Sequence, residues 1–300
     1  MTNDSILRFI FKNTPIRGAA VHLDTAWSAI KQFQQWPAPV ARLMGEMTAG
    51  ALLLASSIKF EGALILQIQG DGPVRLAIAE VRNGLLVRAT AKLNDSMAIT
   101  DDMGTKALVN ACGRGQCAVM LDPKDRREGE PLYQGVVSLA GDSLAEGLMN
   151  YMQQSEQIHT RLWFAADEKN AAGLMIQKMP GMGGDDAHLT DDPETLNRIE
   201  TLAETITDKE LLTLSTQEVV HRLFWEEEPQ VLSEAMPKFA CTCSRDRVRA
   251  MIAQLGKDEA LGIIAEMGHI EVHCDFCGRT ERFDLNDVMA IFDSGETTRH

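Results

Sequence analysis

Two cysteine pairs close to the C-terminal end carry the densest chemistry in this 300-residue chain: Cys241-Thr-Cys243 and, about thirty residues on, Cys274-Asp-Phe-Cys277. Zinc takes four soft, anionic ligands in a tetrahedron at about 2.3 Å, and two closely spaced pairs supply them at little cost in chain entropy. Gly278, directly after the second pair, provides the permissive backbone that a tight ligand turn needs. The spacing predicts one zinc ion per chain in the reduced state, held by Cys241, Cys243, Cys274 and Cys277. His269 and His273 are rival ligands, but four cysteines already close the shell.

Four thiolates leave no open coordination position, which argues against hydrolysis at the metal and leaves the chemistry to sulfur. Thiolates are the species that peroxide or hypochlorous acid attacks. Arg245, Arg247, Arg249 and Arg279 add positive charge nearby and read first as a solvated helix face. Cys112 and Cys117 lack a second pair and read as structural thiols.

The ligands sit in a terminal module, residues 241–300, too short to build much apolar core. Structural zinc contributes on the order of 10 kcal/mol to such small folds, so loss of the metal is expected to unfold it. Upstream, residues 185–240 hold fourteen acidic side chains against four basic ones, most of the net charge of −14. They read as an acidic helical linker: Ile199, Leu202, Ala203 and Ile206 form one apolar stripe, and Val219, Val220, Leu223 and Phe224 another behind a Ser215–Glu218 capping box. The glycine-rich run Gly181–Gly184 marks the boundary with residues 1–184.

That first segment reads as a mixed α+β domain. Strands are expected at 63–69, 74–80 and 85–93, the last two joined by an Asn83-Gly84 hairpin turn, and at 118–121, 133–140, 160–165 and 173–178. Helices are expected at 25–35, 40–58 and 144–155, the first two separated by Pro37 and Pro39.

The composition, 45% hydrophobic and 24% charged, is that of a globular chain. The N-terminal run Ile6–Phe11 is broken by Arg8 and lacks the features of an export signal; the apolar stretch 49–58 is half the length of a membrane span. With six cysteines, these features point to a reducing, cytoplasmic setting and to no membrane partner.

Taken together, the Cys-x-Cys-Ser-Arg run at 241–245 and the His-Cys-x-x-Cys-Gly run at 273–278 resemble the redox-regulated chaperone family known as heat-shock protein 33. Trp36-Pro-Ala-Pro-Val40, Gln69-Gly-Asp-Gly-Pro73, Tyr133-Gln-Gly-Val-Val137, residues 173–180 and Glu226-Glu-Glu228 extend the resemblance over nearly the whole chain. Trp36, where tyrosine is common, and the extra Cys112 and Cys117 depart from the pattern. The resemblance implies an ATP-independent holdase, not an enzyme, that is inactive while reduced and zinc-bound. It also implies disulfides Cys241–Cys243 and Cys274–Cys277 on oxidation, an unfolding linker, binding of unfolded client proteins by the N-terminal domain, and a homodimer in the oxidised state.

Three other readings compete. A zinc-ribbon nucleic-acid binder conflicts with the acidic linker and module, because phosphate recognition needs a basic surface. A thiol-disulfide oxidoreductase would place its Cys-x-x-Cys by a βαβ unit without a second pair. A purely structural zinc module predicts no gain of function on oxidation. In the switch reading the linker is docked when reduced, and Trp225 is expected to be shielded there.

Overall fold

In a computed structural model, the described residues are 4–127, 130–139, 141–180 and 192–293. They divide into two compact units, Met1–Ala240 and Cys241–His300. In chain order the first unit holds β1 (Ser5–Phe11), β2 (Ile16–Leu23), α1 (Thr25–Lys31), α2 (Ala38–Ser56), β3 (Gly62–Gln69), β4 (Val74–Arg82), β5 (Leu86–Leu93), α3 (Thr105–Val109), β6 (Gln116–Pro123) and β7 (Tyr133–Ser138). It continues with α4 (Leu144–Tyr151), β8 (Thr160–Ala166), β9 (Ala171–Lys178), α5 (Pro193–Ala203), α6 (Asp208–Thr213), α7 (Thr216–Phe224), β10 (Pro229–Ala235) and β11 (Lys238–Phe239). The second unit holds α8 (Arg245–Leu255), α9 (Lys257–Met267), β12 (Ile270–His273), β13 (Thr280–Phe283) and α10 (Leu285–Asp293).

The mixed α+β class expected from the sequence is what forms. Two sheets of the first unit, ordered β10-β1-β2-β9-β8 and β11-β5-β4-β3-β6-β7, pack with α2 in the main apolar core. Leu43, Met47, Leu52 and Leu53 of this helix are fully buried, which explains why its sequence is apolar around most of its circumference. Asn83 and Gly84 both take positive φ, 49° and 72°, and turn β4 into β5 as their dipeptide predicts.

Several boundaries move. The helix expected to reach Gln35 stops at Lys31, and Pro37 and Pro39 open α2 from its N-cap and first turn, where a missing N–H costs nothing. The helix expected to reach Ser155 ends at Tyr151 and continues as one π-helical turn, Met152–Glu156. The strand expected to reach Ala140 ends at Ser138, and Ala140 lies outside the described residues.

The linker expectation also needs correction. Helices α5 to α7 form, with the Ser215–Glu218 capping box in place, but the segment ends in strands. β10 pairs antiparallel with β1, from Ile6 opposite Ala235 to Phe11 opposite Pro229, and β11 runs parallel to β5. The run Ile6–Phe11, read from sequence only as no export signal, is therefore an inner strand of a sheet. Gly181–Gly184 and residues 185–191 lie outside the described residues.

The linker helices lie against one face of the first sheet. Ile199, Leu211, Val219, Val220 and Phe224 are buried against Leu7, Phe9, Phe11, Leu174 and Ile176. Phe224 meets Phe11 edge-on at a centroid distance of 5.2 Å, and Gly18 is required beside it because a Cβ there would fall 2.2 Å from the Phe9 ring. Two polar ties sit in this contact: Ser5 Oγ and Thr216 Oγ1 are 2.8 Å apart, and His22 Nε2 lies 3.1 Å from the Leu212 carbonyl oxygen. Trp225 contradicts the expectation: it is 62% exposed, because it caps α7 beyond the last buried turn.

Candidate metal centre

The second unit closes on a small core of Ile252, Ala260, Ile264, Ile270, Phe283, Val288 and Ile291. Helices α8, α9 and α10 supply most of it, and the β12–β13 hairpin packs Ile270 and Phe283 into the same cluster. Cys241 and Cys243 lie on the stretch just before α8, whose N-cap Ser244 accepts from the Arg247 N–H. Cys274 and Cys277 form the turn of the hairpin. There the Gly278 N–H donates to the Cys274 carbonyl at 2.9 Å and the Cys274 N–H to the Arg279 carbonyl at 2.9 Å. Gly278 sits at φ 65°, the left-handed conformation for which its position argued.

This architecture brings the sulfurs of Cys241, Cys243, Cys274 and Cys277 within 4.8 Å of one another, all partly buried. Contacts cross between the pairs, Cys241 to Cys274 at 3.6 Å and Cys243 to Cys277 at 3.3 Å. A tetrahedron with ligand distances of about 2.3 Å has edges of about 3.8 Å, so the set has the size and donor chemistry that zinc requires. His269 and His273 are engaged elsewhere: His269 Nε2 lies 3.0 Å from Arg282, and His273 bonds Thr280 through Nδ1 at 2.8 Å and Glu271 through Nε2 at 3.1 Å.

The four thiols are not equivalent. Burial works against ionising Cys241, but the Cys243 N–H and the neighbouring thiols donate to it and bring it down to about 7 from 9.0. Burial pushes Cys243 and Cys277 up, Cys243 the more strongly because it donates to its neighbours. Of these three thiols, Cys241 is the one whose surroundings favour the thiolate. Outside the cluster, Cys117 is buried in the main core and pushed up to about 12 by desolvation, which makes it inert, while Cys112 is exposed.

Arg245 entered the sequence reading through its charge and as the end of the Cys-x-Cys-Ser-Arg run, with no structural role assigned. Its guanidinium donates through Nη1 to the Arg282 carbonyl at 2.9 Å and approaches Glu281 at 3.4 Å, while Nη2 reaches Asp287 at 2.9 Å. The same group stacks 4.2 Å from the centre of the Phe283 ring. Arg247 bonds Thr242, the middle residue of the Cys-x-Cys arm, at 2.7 Å. The place of Arg245 two residues after Cys243, at the end of the Cys-x-Cys-Ser-Arg run, is the local signal that marks it.

The model of the Hsp33 protein family matches residues 4–284. The chain belongs to that family. Two relatives named 33 kDa chaperonin agree: that of Methylobacillus flagellatus is 41% identical, with 99% of each chain covered, and that of Neisseria meningitidis is 41% identical, with 95% of this chain and 90% of the relative covered. The fold is similar to the crystal structure of the 33 kDa chaperonin, a heat shock protein 33 homolog, from Thermotoga maritima. The two share a TM-score of 0.80 at 20% identity, with 98% of this chain and 99% of the other covered. Among the described residues of this Hsp33 family member, no helix is long and apolar enough to cross a membrane.

Proposed function

We propose that this Hsp33 family member is an ATP-independent chaperone of the cytoplasm, held inactive by one zinc ion on Cys241, Cys243, Cys274 and Cys277 and switched on by their oxidation. The observation that carries this reading is the gathering of four thiols in a unit whose own apolar core is small. Zinc, when bound, keeps the sulfurs as thiolates and contributes the folding free energy that such a core lacks.

Disulfide formation and zinc ligation by the same sulfurs exclude one another. A disulfide bond is about 2.05 Å long, well below the spacing of about 3.8 Å between neighbouring ligands of the tetrahedron. Two peroxide molecules take four electrons from four thiolates, giving two disulfides and four hydroxide ions, and each new bond removes two ligands. The pairing assigned by the family resemblance, Cys241–Cys243 and Cys274–Cys277, leaves no cross-link between the Cys-x-Cys arm and the hairpin. The second unit then has its small core and a few exposed polar contacts to hold it.

Unfolding of residues 185–240 is the second half of the proposal. The apolar stripes of α5 and α7 cover one face of the first sheet, and their release frees both that face and the stripes for unfolded client proteins. The linker's fourteen carboxylates keep the opened form soluble, and the opened form pairs as a homodimer. Neither reaction chemistry nor nucleic acid has a part in this scheme.

The test is aggregation of a denatured client, without nucleotide, in the presence of reduced and of oxidised protein while released zinc is counted. Oxidised protein is expected to suppress aggregation after losing one zinc per chain, and to sediment as a dimer. Equal suppression by both forms would sink the switch.

A further inference from the structure

The two ligand pairs come from stretches of chain about thirty residues apart, and contacts other than those between sulfurs also join the Cys-x-Cys arm to the elements beside the hairpin turn. Arg245, two residues beyond Cys243, is bonded simultaneously to the backbone of Arg282 on β13, to Glu281 on the same strand and to Asp287 on α10, with its face on Phe283. Phe283 is a fully buried member of the second unit's core, and the reciprocal Asp284–Asp287 hydrogen bonds fix the start of α10. The guanidinium therefore fastens the first ligand arm to the two elements that follow the second ligand pair. None of these contacts passes through sulfur. We propose that Arg245 is the positioning residue of the metal centre, an arginine clamp that preorganises the two cysteine pairs and slows zinc loss.

This inference rests on the zinc reading above. Its physical basis is that a planar fork makes several directed bonds and stacks at once, which an ammonium group cannot reproduce. Groups that orient metal ligands typically change metal affinity by about 10–100-fold when removed. Without the clamp the arm samples positions in which Cys241 and Cys243 face away from the hairpin, and each such opening is an opportunity for the metal to leave or for an oxidant to reach a free thiolate.

The experiment compares the full reduced chain with Arg245→Gln, Arg245→Lys, Asp287→Asn and a core control, Ile264→Val. It measures zinc dissociation constants by competition with a chromogenic chelator, zinc release rates under peroxide, and thermal midpoints. Arg245→Gln is expected to weaken zinc by about 10–100-fold and to speed release, with Arg245→Lys recovering little of the loss. Asp287→Asn, which leaves the other arms of the clamp in place, is expected to show a smaller weakening in the same direction. Ile264→Val should lower the thermal midpoint while leaving the zinc constant within about twofold. Unchanged zinc affinity in Arg245→Gln, full recovery in Arg245→Lys, or a zinc loss in Ile264→Val equal to that in Arg245→Gln would overturn the clamp. A wild-type chain that binds no zinc would instead overturn the metal reading itself. Should Arg245→Gln fail to fold, Asp287→Asn decides between the same outcomes.

Discussion

The sheet face under the linker and the core of the second unit are built on opposite principles. The first joins large apolar side chains, Phe9, Phe11 and Phe224 among them, over a sheet whose inner strands β1, β2 and β9 are paired on both sides. The second has a handful of aliphatic residues and one buried ring around a cluster of thiols and an arginine. Area removed from water stabilises the first at about 25 cal/mol per Å² and does not respond to oxidants. In the function proposed above, the second concentrates its stability in a few zinc–sulfur bonds, which a single chemical event can abolish. A sensor gains from the second design, and a latch that must close again gains from the first.

The sharpest way to break this comparison is to remove one thiol. Cys274→Ser should forfeit most of the roughly 10 kcal/mol that structural zinc contributes, so that hydrogen exchange of residues 241–293 becomes fast while the β3–β6 ladder stays protected. Retention of zinc and of protection in the second unit would mean that its small core suffices.

The apolar side of the comparison is tested at Phe224. Phe224→Ala should cost about 3–5 kcal/mol, and Leu223→Ala, at 8% exposure, about 2 kcal/mol. Both should raise proteolysis within residues 193–235 of the reduced, zinc-loaded chain, with the zinc content unchanged. Trp225 is a poor reporter for either, since it already faces solvent. Equal protease resistance of both variants would show that the helices are not held by their stripes.

A smaller effect is expected from pH. Burial raises Glu46 of α2 to about 7 from 4.5; Arg42 opposes the shift and Asp208 of α6 adds to it. The folded chain keeps this proton to a higher pH than the unfolded chain does. Its contribution is therefore fully present below about 4.5 and is lost as pH rises through about 7, a change on the order of 3 kcal/mol. Glu46→Gln should flatten thermal stability between those limits, and an unchanged slope would assign it to other groups. The smallest effect is expected at the polar tie, where Ser5→Ala should weaken linker docking by about 1 kcal/mol, read as a modest rise in the same proteolysis.

The parts of this molecule that were legible in its sequence are those with short-range signatures. The Asn83-Gly84 turn and the Ser215–Glu218 capping box follow from residues within a few positions of one another, and the four cysteines were legible because each pair is itself a short motif. β10 was hidden because both of its faces are largely exposed at a sheet edge, so Pro229–Ala235 shows no apolar alternation. β1 was hidden by Arg8, a charged residue on a strand that is otherwise apolar. Arg245 was hidden for a different reason: its partners Glu281, Arg282 and Asp287 are dozens of residues away, and no local pattern announces a clamp.

The pairing of β1 with β10 has a consequence for the order in which the chain is made. Phe11 meets its edge-on partner Phe224 only after about 210 more residues have been added. At synthesis rates of roughly 5–20 residues per second, that is a delay of about 10–40 seconds. During that interval β1 and β2 have left the ribosome, but the helices that will cover their outer face have not. Each new copy thus begins life with an uncovered pair of strands, and must pass through its own unshielded state before anything can lock it.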